Sequence, residues 1–358
     1  MERPLLFKGR GAADNAVSRF DHQTREACDD GWGSLDEPLT PLRTEVATDA
    51  SRSAINYIDS PDLPFDRSIN PYRGCEHGCI YCYARPSHAY LGLSPGLDFE
   101  SRLLAKPDAA QLLRKELAKP GYRCAPIALG MNTDAYQPIE REYRITRSIL
   151  EVLAETRHPF SLVTKSSLVE RDLDLIAPMA AEGLALVFVT LTTLDRTLAR
   201  RLEPRAAAPE RRLETLRRLS AAGIPTGVMT APVIPALNDH EMERILEAAS
   251  AAGARHAGYV LLRLPHELVT LFEQWLQLHY PLKATHVMSL IRQSRGGKAY
   301  DADFKSRMTG QGLFAEMISK RFHLACQRFD LNHQRQPLCS DLFTPPTTGD
   351  SPPQMSLF

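Results

Sequence analysis

From residue 127 onward the apolar positions alternate between two spacings. Short β-branched runs come first, and each is followed by a stretch in which apolar residues recur every three or four positions. IALGMN (127–132) reads as a short buried strand, and REYRITRSILEVLAET (141–156) as a helix with Ile145, Ile149, Val152 and Leu153 on one face. FSLVTKS (160–166) is the next strand, and LVERDLDLIAPMAAEG (168–183) the next helix, stopped by a capping glycine. ALVFVTLTT (185–193) leads to the helix APERRLETLRRLSAAG (208–223), again closed by Gly. PTGVMTAPVI (225–234) leads to DHEMERILEAASAAGA (239–254), and HAGYVLLRL (256–264) to HELVTLFEQWLQLHY (266–280). Strand followed by helix, repeated without hairpin signals, implies parallel strands joined by right-handed crossovers. With a strand expected just before Cys75, about six βα units fit, which predicts an α/β fold of the partial TIM type, a (β/α)6 barrel. Chemistry in such barrels sits at the C-terminal ends of the strands.

The flanks differ in composition. Residues 1–66 are polar and irregular and read as an extension lying over the barrel of 67–290. Residues 291–335 form a helical segment with nine Lys/Arg against four Asp/Glu. The tail 336–358, rich in Pro, Ser and Thr, is expected to be disordered. Over all 358 residues, 43 basic side chains balance 43 acidic ones, so global charge selects no partner. No run of ~18 apolar residues predicts a transmembrane helix, and the N-terminus has no signal-peptide core, so no membrane association and a reducing, cytoplasmic location are expected.

Under those conditions clustered cysteines bind metal or do chemistry rather than form disulfides. The chain has seven cysteines, and Cys28, Cys124, Cys326 and Cys339 stand apart. Cys75, Cys79 and Cys82 crowd into NPYRGCEHGCIYCYARP (70–86) with the spacing C-x-x-x-C-x-x-C. Thiolates suit zinc or iron–sulfur clusters. A structural zinc wants four closed ligands, and His77 would be cramped as the fourth, with no second C-x-x-C to replace it. A four-iron cluster held by three cysteines keeps one iron open to a substrate or cofactor. Gly74 and Gly78 allow the loop the positive φ angles a tight wrap needs. A structural zinc or unrelated thiols are the alternatives.

The spacing, with Tyr81 just before the last cysteine and a βα barrel behind it, resembles the radical SAM superfamily. The resemblance runs over about residues 67–335 and is similar to an uncharacterised bacterial branch related to spore photoproduct lyase-like proteins; GMNTDAYQPIE (130–140) resembles that branch's T-D-x-Y-Q-P-x-E. It implies a 4Fe–4S cluster on Cys75, Cys79 and Cys82, S-adenosylmethionine (SAM) on the open iron, an external one-electron reductant, and a 5′-deoxyadenosyl radical that abstracts hydrogen. It also implies SAM contacts at strand ends: Tyr81; Asn132, Thr133 and Asp134; Ser166; Thr190 and Thr192; and Arg205, whose guanidinium matches a carboxylate as a fork. Set against these roles, Asn132–Asp134 and Ser166 also read as helix caps, and Arg205 as one of the eight arginines set against four acids in 195–218. PVIPALND (232–239) resembles the family's backbone platform for adenine. The family's repair enzyme uses a cysteine as hydrogen donor just before the second-strand motif, where this chain has Met131, a thioether with no S–H.

The last five residues, QMSLF, resemble the peptide with which bacterial replication and repair proteins bind the sliding clamp. Gln354 would supply directed hydrogen bonds, and Leu357 and Phe358 apolar anchors. Three readings follow: a radical SAM enzyme acting on nucleic acid, in DNA repair or modification; one acting on a protein or small molecule; and a non-catalytic metal-bearing or clamp-interacting module.

Overall fold

The computed structural model describes residues 7–21, 41–333 and 337–346. Its ten strands in chain order are β1 (Glu45–Thr48), β2 (Ile55–Tyr57), β3 (Arg67–Ile69), β4 (Tyr72–Arg73), β5 (Arg102–Ala105), β6 (Ile127–Leu129), β7 (Phe160–Thr164), β8 (Ala185–Thr190), β9 (Thr226–Val233) and β10 (His256–Leu261). Seven form one sheet in the order β10-β9-β8-β7-β6-β3-β2. Six of them, from β3 to β10, run parallel, and β2 adds an antiparallel edge to β3. β10 and β2 are not paired with each other, so the sheet is an open, partial barrel.

Burial alternates along the central strands. Phe160, Leu162, Val187 and Val189 are fully buried and share one core with Ile149, Val152, Leu153, Ile176, Leu216, Leu219, Ile245 and Leu246 of the covering helices. Their neighbours Ser161, Val163, Lys165, Leu186 and Phe188 are only half-buried. A strand's successive side chains point to opposite faces. The helix-covered face is therefore dry, and the concave face opens to a lumen. Gly227 and Gly258 make room on that face, because a Cβ there would meet the Phe188 ring at 2.2 Å and Met229 Sδ at 2.7 Å. Ile145, Ile149, Val152 and Leu153 are all buried, as their spacing predicts. Removing any one of the larger of these aliphatic chains would cost about 2–5 kcal/mol.

The expected helix 141–156 divides. Glu140–Tyr143 makes one turn, Arg144 takes a left-handed φ of 53°, and the helix proper is Ile145–Glu155. The buried Glu140 carboxylate accepts the Thr146 N–H at 3.0 Å, capping the new helix. The terminal regions also differ from their composition. The extension is built into the fold, since β2 joins the barrel sheet and β1 pairs with β5. Residues 337–346 of the tail are seated on the fold. The Cys339 N–H donates to the Gly183 carbonyl at 3.0 Å, the Thr344 N–H donates to the Thr156 carbonyl at 2.9 Å, and Phe343 packs on Tyr122 and His158. Two apolar residues, Leu342 and Phe343, anchor this strap despite its polar composition. Gln354, Leu357, Phe358 and Cys28 lie outside the described residues. Among the described residues no helix is long and apolar enough to cross a membrane.

Candidate cofactor site at the barrel mouth

The three-cysteine loop leaves β4 at the C-terminal end of β3, where the barrel opens. Gly74 and Gly78 take φ of 76° and 66°. Side chains would also be excluded sterically. A Cβ on Gly74 would stand 2.8 Å from the Phe99 carbonyl oxygen, and one on Gly78 would stand 2.6 Å from a Glu100 carboxylate oxygen. Cys75 and Cys79 are buried and Cys82 is half-buried. Burial pushes the Cys79 thiol up to about 12 and the Cys75 thiol well above its ordinary value, with the neighbouring sulfurs adding to the effect. Among the described residues no group of three His, Cys, Asp or Glu side chains converges on a single-ion site. Ligands of a four-iron cluster bind different irons and need not converge on one point, so the loop fits a cluster of that kind.

A buried polar frame fixes the loop from beneath. The Arg85 guanidinium donates to the carbonyls of Cys79 (2.8 Å), Gly78 (3.1 Å), Pro95 (3.1 Å) and Gly96 (2.8 Å), and to Glu100 at 2.5 Å. Glu100 in turn accepts the N–H groups of Gly11 (2.8 Å) and Ala12 (2.9 Å), so the N-terminal segment lies on the loop's outer side. The T-D-x-Y-Q-P-x-E stretch serves the same frame. Gln137 accepts the Glu76 N–H at 2.8 Å and donates to the Gly74 carbonyl at 3.1 Å. The Thr133 hydroxyl also donates to Gly74, at 2.7 Å.

Asp134 Oδ2 meets His77 Nδ1 at 3.3 Å and accepts the Lys165 N–H at 2.8 Å, while its Oδ1 accepts from the Thr164 hydroxyl at 2.7 Å. Burial would raise the Asp134 carboxyl, but His77 and these hydrogen bonds hold it well below the carboxylate range. Thr133 and Asp134, expected at the cofactor, thus spend their polar atoms on the cluster loop and on the end of β7. Asn132 presents an exposed side chain, and its N–H donates to Asn70. Ser166 is a helix cap, its Oγ accepting the Leu168 N–H at 3.2 Å, and the hydroxyl proton remains free to donate.

A second buried network lies behind Cys79. Glu203 accepts from Tyr81, Arg212 and, at 2.6 Å, the Thr192 hydroxyl. Burial would raise its carboxyl, yet Arg212 and Lys165 bring it down to about 2. The Tyr81 and Thr192 hydroxyls are therefore engaged within the protein, which leaves the Tyr81 ring as what it can offer a cofactor. Thr190 is buried at the end of β8, and its carbonyl accepts from Arg212 at 3.1 Å. Arg205 reaches Glu76 at 3.2 Å, and its N–H donates to the His77 carbonyl.

Lys165, on the lumen face at the end of β7, is placed differently. Its Nζ stands 5.8 Å from the Tyr81 ring centre, and no carboxylate among the described residues lies within 4.0 Å of it. Burial would lower its ammonium, but the Cys79 sulfur, Glu203 and Asp134 hold it above its ordinary value. The platform 232–239 is braced by Asn238, which accepts the Ile234 N–H at 2.6 Å and donates to the carbonyls of Thr192 (2.8 Å) and Pro232 (3.0 Å).

Lys165, Gln137, Glu203 and Arg212 are thus members of this site that the strand-end reading did not assign. A charged or amide residue one or two positions beyond a strand, or inside a run of ordinary helix formers, carries little signal of its own.

Comparison with known proteins gives the family and the fold. An uncharacterised protein of Mycobacterium tuberculosis (strain H37Rv) is 38% identical over 245 residues, covering 68% of this chain and 72% of that protein. An uncharacterised protein of Methanocaldococcus jannaschii is 29% identical over 239 residues, covering 67% and 85%. Among solved structures, spore photoproduct lyase with bound AdoMet and dinucleoside spore photoproduct superposes with a TM-score of 0.51 at 16% identity, covering 79% of this chain and 78% of that one, which is a likeness of fold. The Radical SAM superfamily profile matches residues 69–249, and the chain belongs to that superfamily.

Proposed function

We propose that Cys75, Cys79 and Cys82 hold a 4Fe–4S cluster with one open iron, that SAM binds there, and that the enzyme abstracts hydrogen from a substrate bound above the lumen. When bound, the cluster supplies the electron that cleaves SAM to a 5′-deoxyadenosyl radical. The observation that carries the reading is the loop itself: three thiols at a barrel's C-terminal mouth, with no fourth thiol beside them among the described residues and an internal frame holding their backbone in place.

The chain's own residues bind and orient. Lys165, whose ammonium has no carboxylate partner within 4.0 Å among the described residues, is the better-placed cation for the methionine carboxylate of SAM, since Arg205 is committed to Glu76. Asn132 and the Ser166 hydroxyl complete the polar contacts available at the mouth. The half-buried lumen residues would have to be covered by the bound substrate to give a carbon radical the water-poor surroundings it requires.

The solved lyase of like fold carries a dinucleoside lesion, and a nucleic-acid substrate is the reading we favour here. Met131 has no S–H to give, so it does not serve as a thiol donor at that position. The test is anaerobic reconstitution with iron and sulfide, reduction, addition of SAM and detection of 5′-deoxyadenosine, with Cys75→Ala as control. Product from the wild type and none from the variant is the expected result. Zinc in place of about four irons per chain would overturn it.

A further inference from the structure

The two edges of the open sheet are bridged, and beside the bridge stand two arginines with no carboxylate within 4.0 Å among the described residues. Asp62, in the loop between β2 and β3, takes both Nε (2.5 Å) and Nη2 (2.6 Å) of Arg307, which follows β10 in the chain. Tyr83, next to the last cluster cysteine, donates its hydroxyl to the Met131 carbonyl beyond β6 and lies under Arg263, two residues past β10, with its ring centre 5.1 Å from the guanidinium carbon.

Arg263 is half-buried and has no oxygen acceptor among the described residues. Its Nη1 meets only the thioether of Met308 at 3.2 Å, and its Nε is sealed from water without a hydrogen-bond partner. No carboxylate among the described residues lies within 4.0 Å of it, since Asp62 is committed to Arg307. Behind it Arg295, 2% exposed, also has no carboxylate within 4.0 Å among the described residues and donates to four neutral carbonyls: Leu261 (3.1 Å), Leu262 (2.9 Å), Ser306 (2.8 Å) and Arg307 (2.9 Å). Burial and the Arg263 charge bring Arg295 down to about 10, against a weaker upward pull from Asp301 and Tyr300.

A half-buried guanidinium left with a sulfur as its sole acceptor gives up strong hydrogen bonds, unless an anion completes the site. Two neighbouring cations, neither with a carboxylate within 4.0 Å among the described residues, favour a group of more than one negative charge. Arginine's planar fork matches phosphate.

We propose that Arg263, backed by the buried Arg295, is an oxyanion subsite that anchors a phosphate of the substrate at the mouth, beside Tyr83 and within reach of the cluster loop. The assignment rests on the radical SAM reading for its catalytic meaning but not for its binding. A phosphodiester of a nucleic acid and a phosphomonoester of a small molecule share this chemistry.

The test measures the thermal midpoint of the reconstituted protein against increasing inorganic phosphate, acetate at matched ionic strength, and a single-stranded oligothymidylate. Phosphate should raise the midpoint saturably and acetate should not. Arg263→Gln should weaken the phosphate response roughly tenfold or more, and Arg263→Lys, which keeps the charge and loses the fork, should fall between. Arg328→Gln, an exposed arginine on the helix Gly312–Arg328, should behave as wild type. An unliganded midpoint for Arg263→Gln close to that of the wild type shows that the variant folds.

If the oligonucleotide saturates at concentrations at least tenfold lower than phosphate, and is equally sensitive to Arg263→Gln, the source is nucleic acid; if it does not, the source is a phosphomonoester. No saturable phosphate response, one that Arg263→Gln leaves intact, or acetate acting as well as phosphate would overturn the inference. Formation of 5′-deoxyadenosine by the same preparation separates that failure from failure of the enzyme assignment.

Discussion

At the scale of the residue, spacing in the sequence located the strand ends but not the direction in which their side chains point. Thr133 and Asp134 follow β6 and sit at the mouth, yet they bind the cluster loop, because that loop brings its own unpaired backbone groups to the same place. The consequence is testable at Gln137, which pairs the Glu76 N–H and the Gly74 carbonyl. Gln137→Leu leaves the Glu76 N–H unpaired and buried and the Gly74 carbonyl with the Thr133 hydroxyl alone, a loss of about 2 kcal/mol in stability. The reconstituted variant should hold less iron per chain; a variant with full iron and an unchanged melting point would show that the frame is dispensable. The two cations can be ranked in the same way. Equilibrium binding of SAM should weaken at least tenfold in Lys165→Met and less in Arg205→Met, because only Arg205 already has a carboxylate. The reverse order would restore the carboxylate role to Arg205.

At the scale of the element, the strands and long helices from 160 to 280 were legible because each is long enough to show its period, and the three-residue β6 was found as the apolar run ahead of a long amphipathic helix. β2, β3 and β4 are three residues or fewer, and their identity depends on partners distant in the chain, so no local pattern announces them. The same holds for the N-terminal segment that covers the cluster loop. Gly11 needs no special φ; it is required because two backbones touch, and a Cβ there would stand 1.9 Å from the Gly78 carbonyl oxygen. Gly11→Ala must push the segment outward and break its bonds to Glu100. If the segment shields the cluster, its visible absorbance should bleach several-fold faster in air in the variant than in wild type. Equal bleaching would mean that the loop's own burial is the shield.

At the scale of the whole molecule, the two ends of the barrel have separate tasks. The mouth gathers the cysteines and the cations. The opposite end, where β6 to β8 begin, is closed by the strap 337–346, whose composition hid the anchor Phe343. That closure centres on His158, which is fully buried, lies 2.8 Å by Nε2 from the Tyr122 hydroxyl and meets the Phe343 ring edge-on. Burial pushes His158 down to about 4. The folded value lies below that of the unfolded chain, so the unfolded state takes up the proton first, and stability that is complete above the ordinary histidine value is lost as pH falls towards the folded one. Between about pH 7 and about pH 5 the loss from this group is on the order of 2 kcal/mol. Urea titrations of wild type and His158→Gln should therefore diverge most at neutral pH and converge on acidification, the wild type losing stability more steeply. Parallel pH profiles would show that His158 is not the group through which acid opens this end of the barrel.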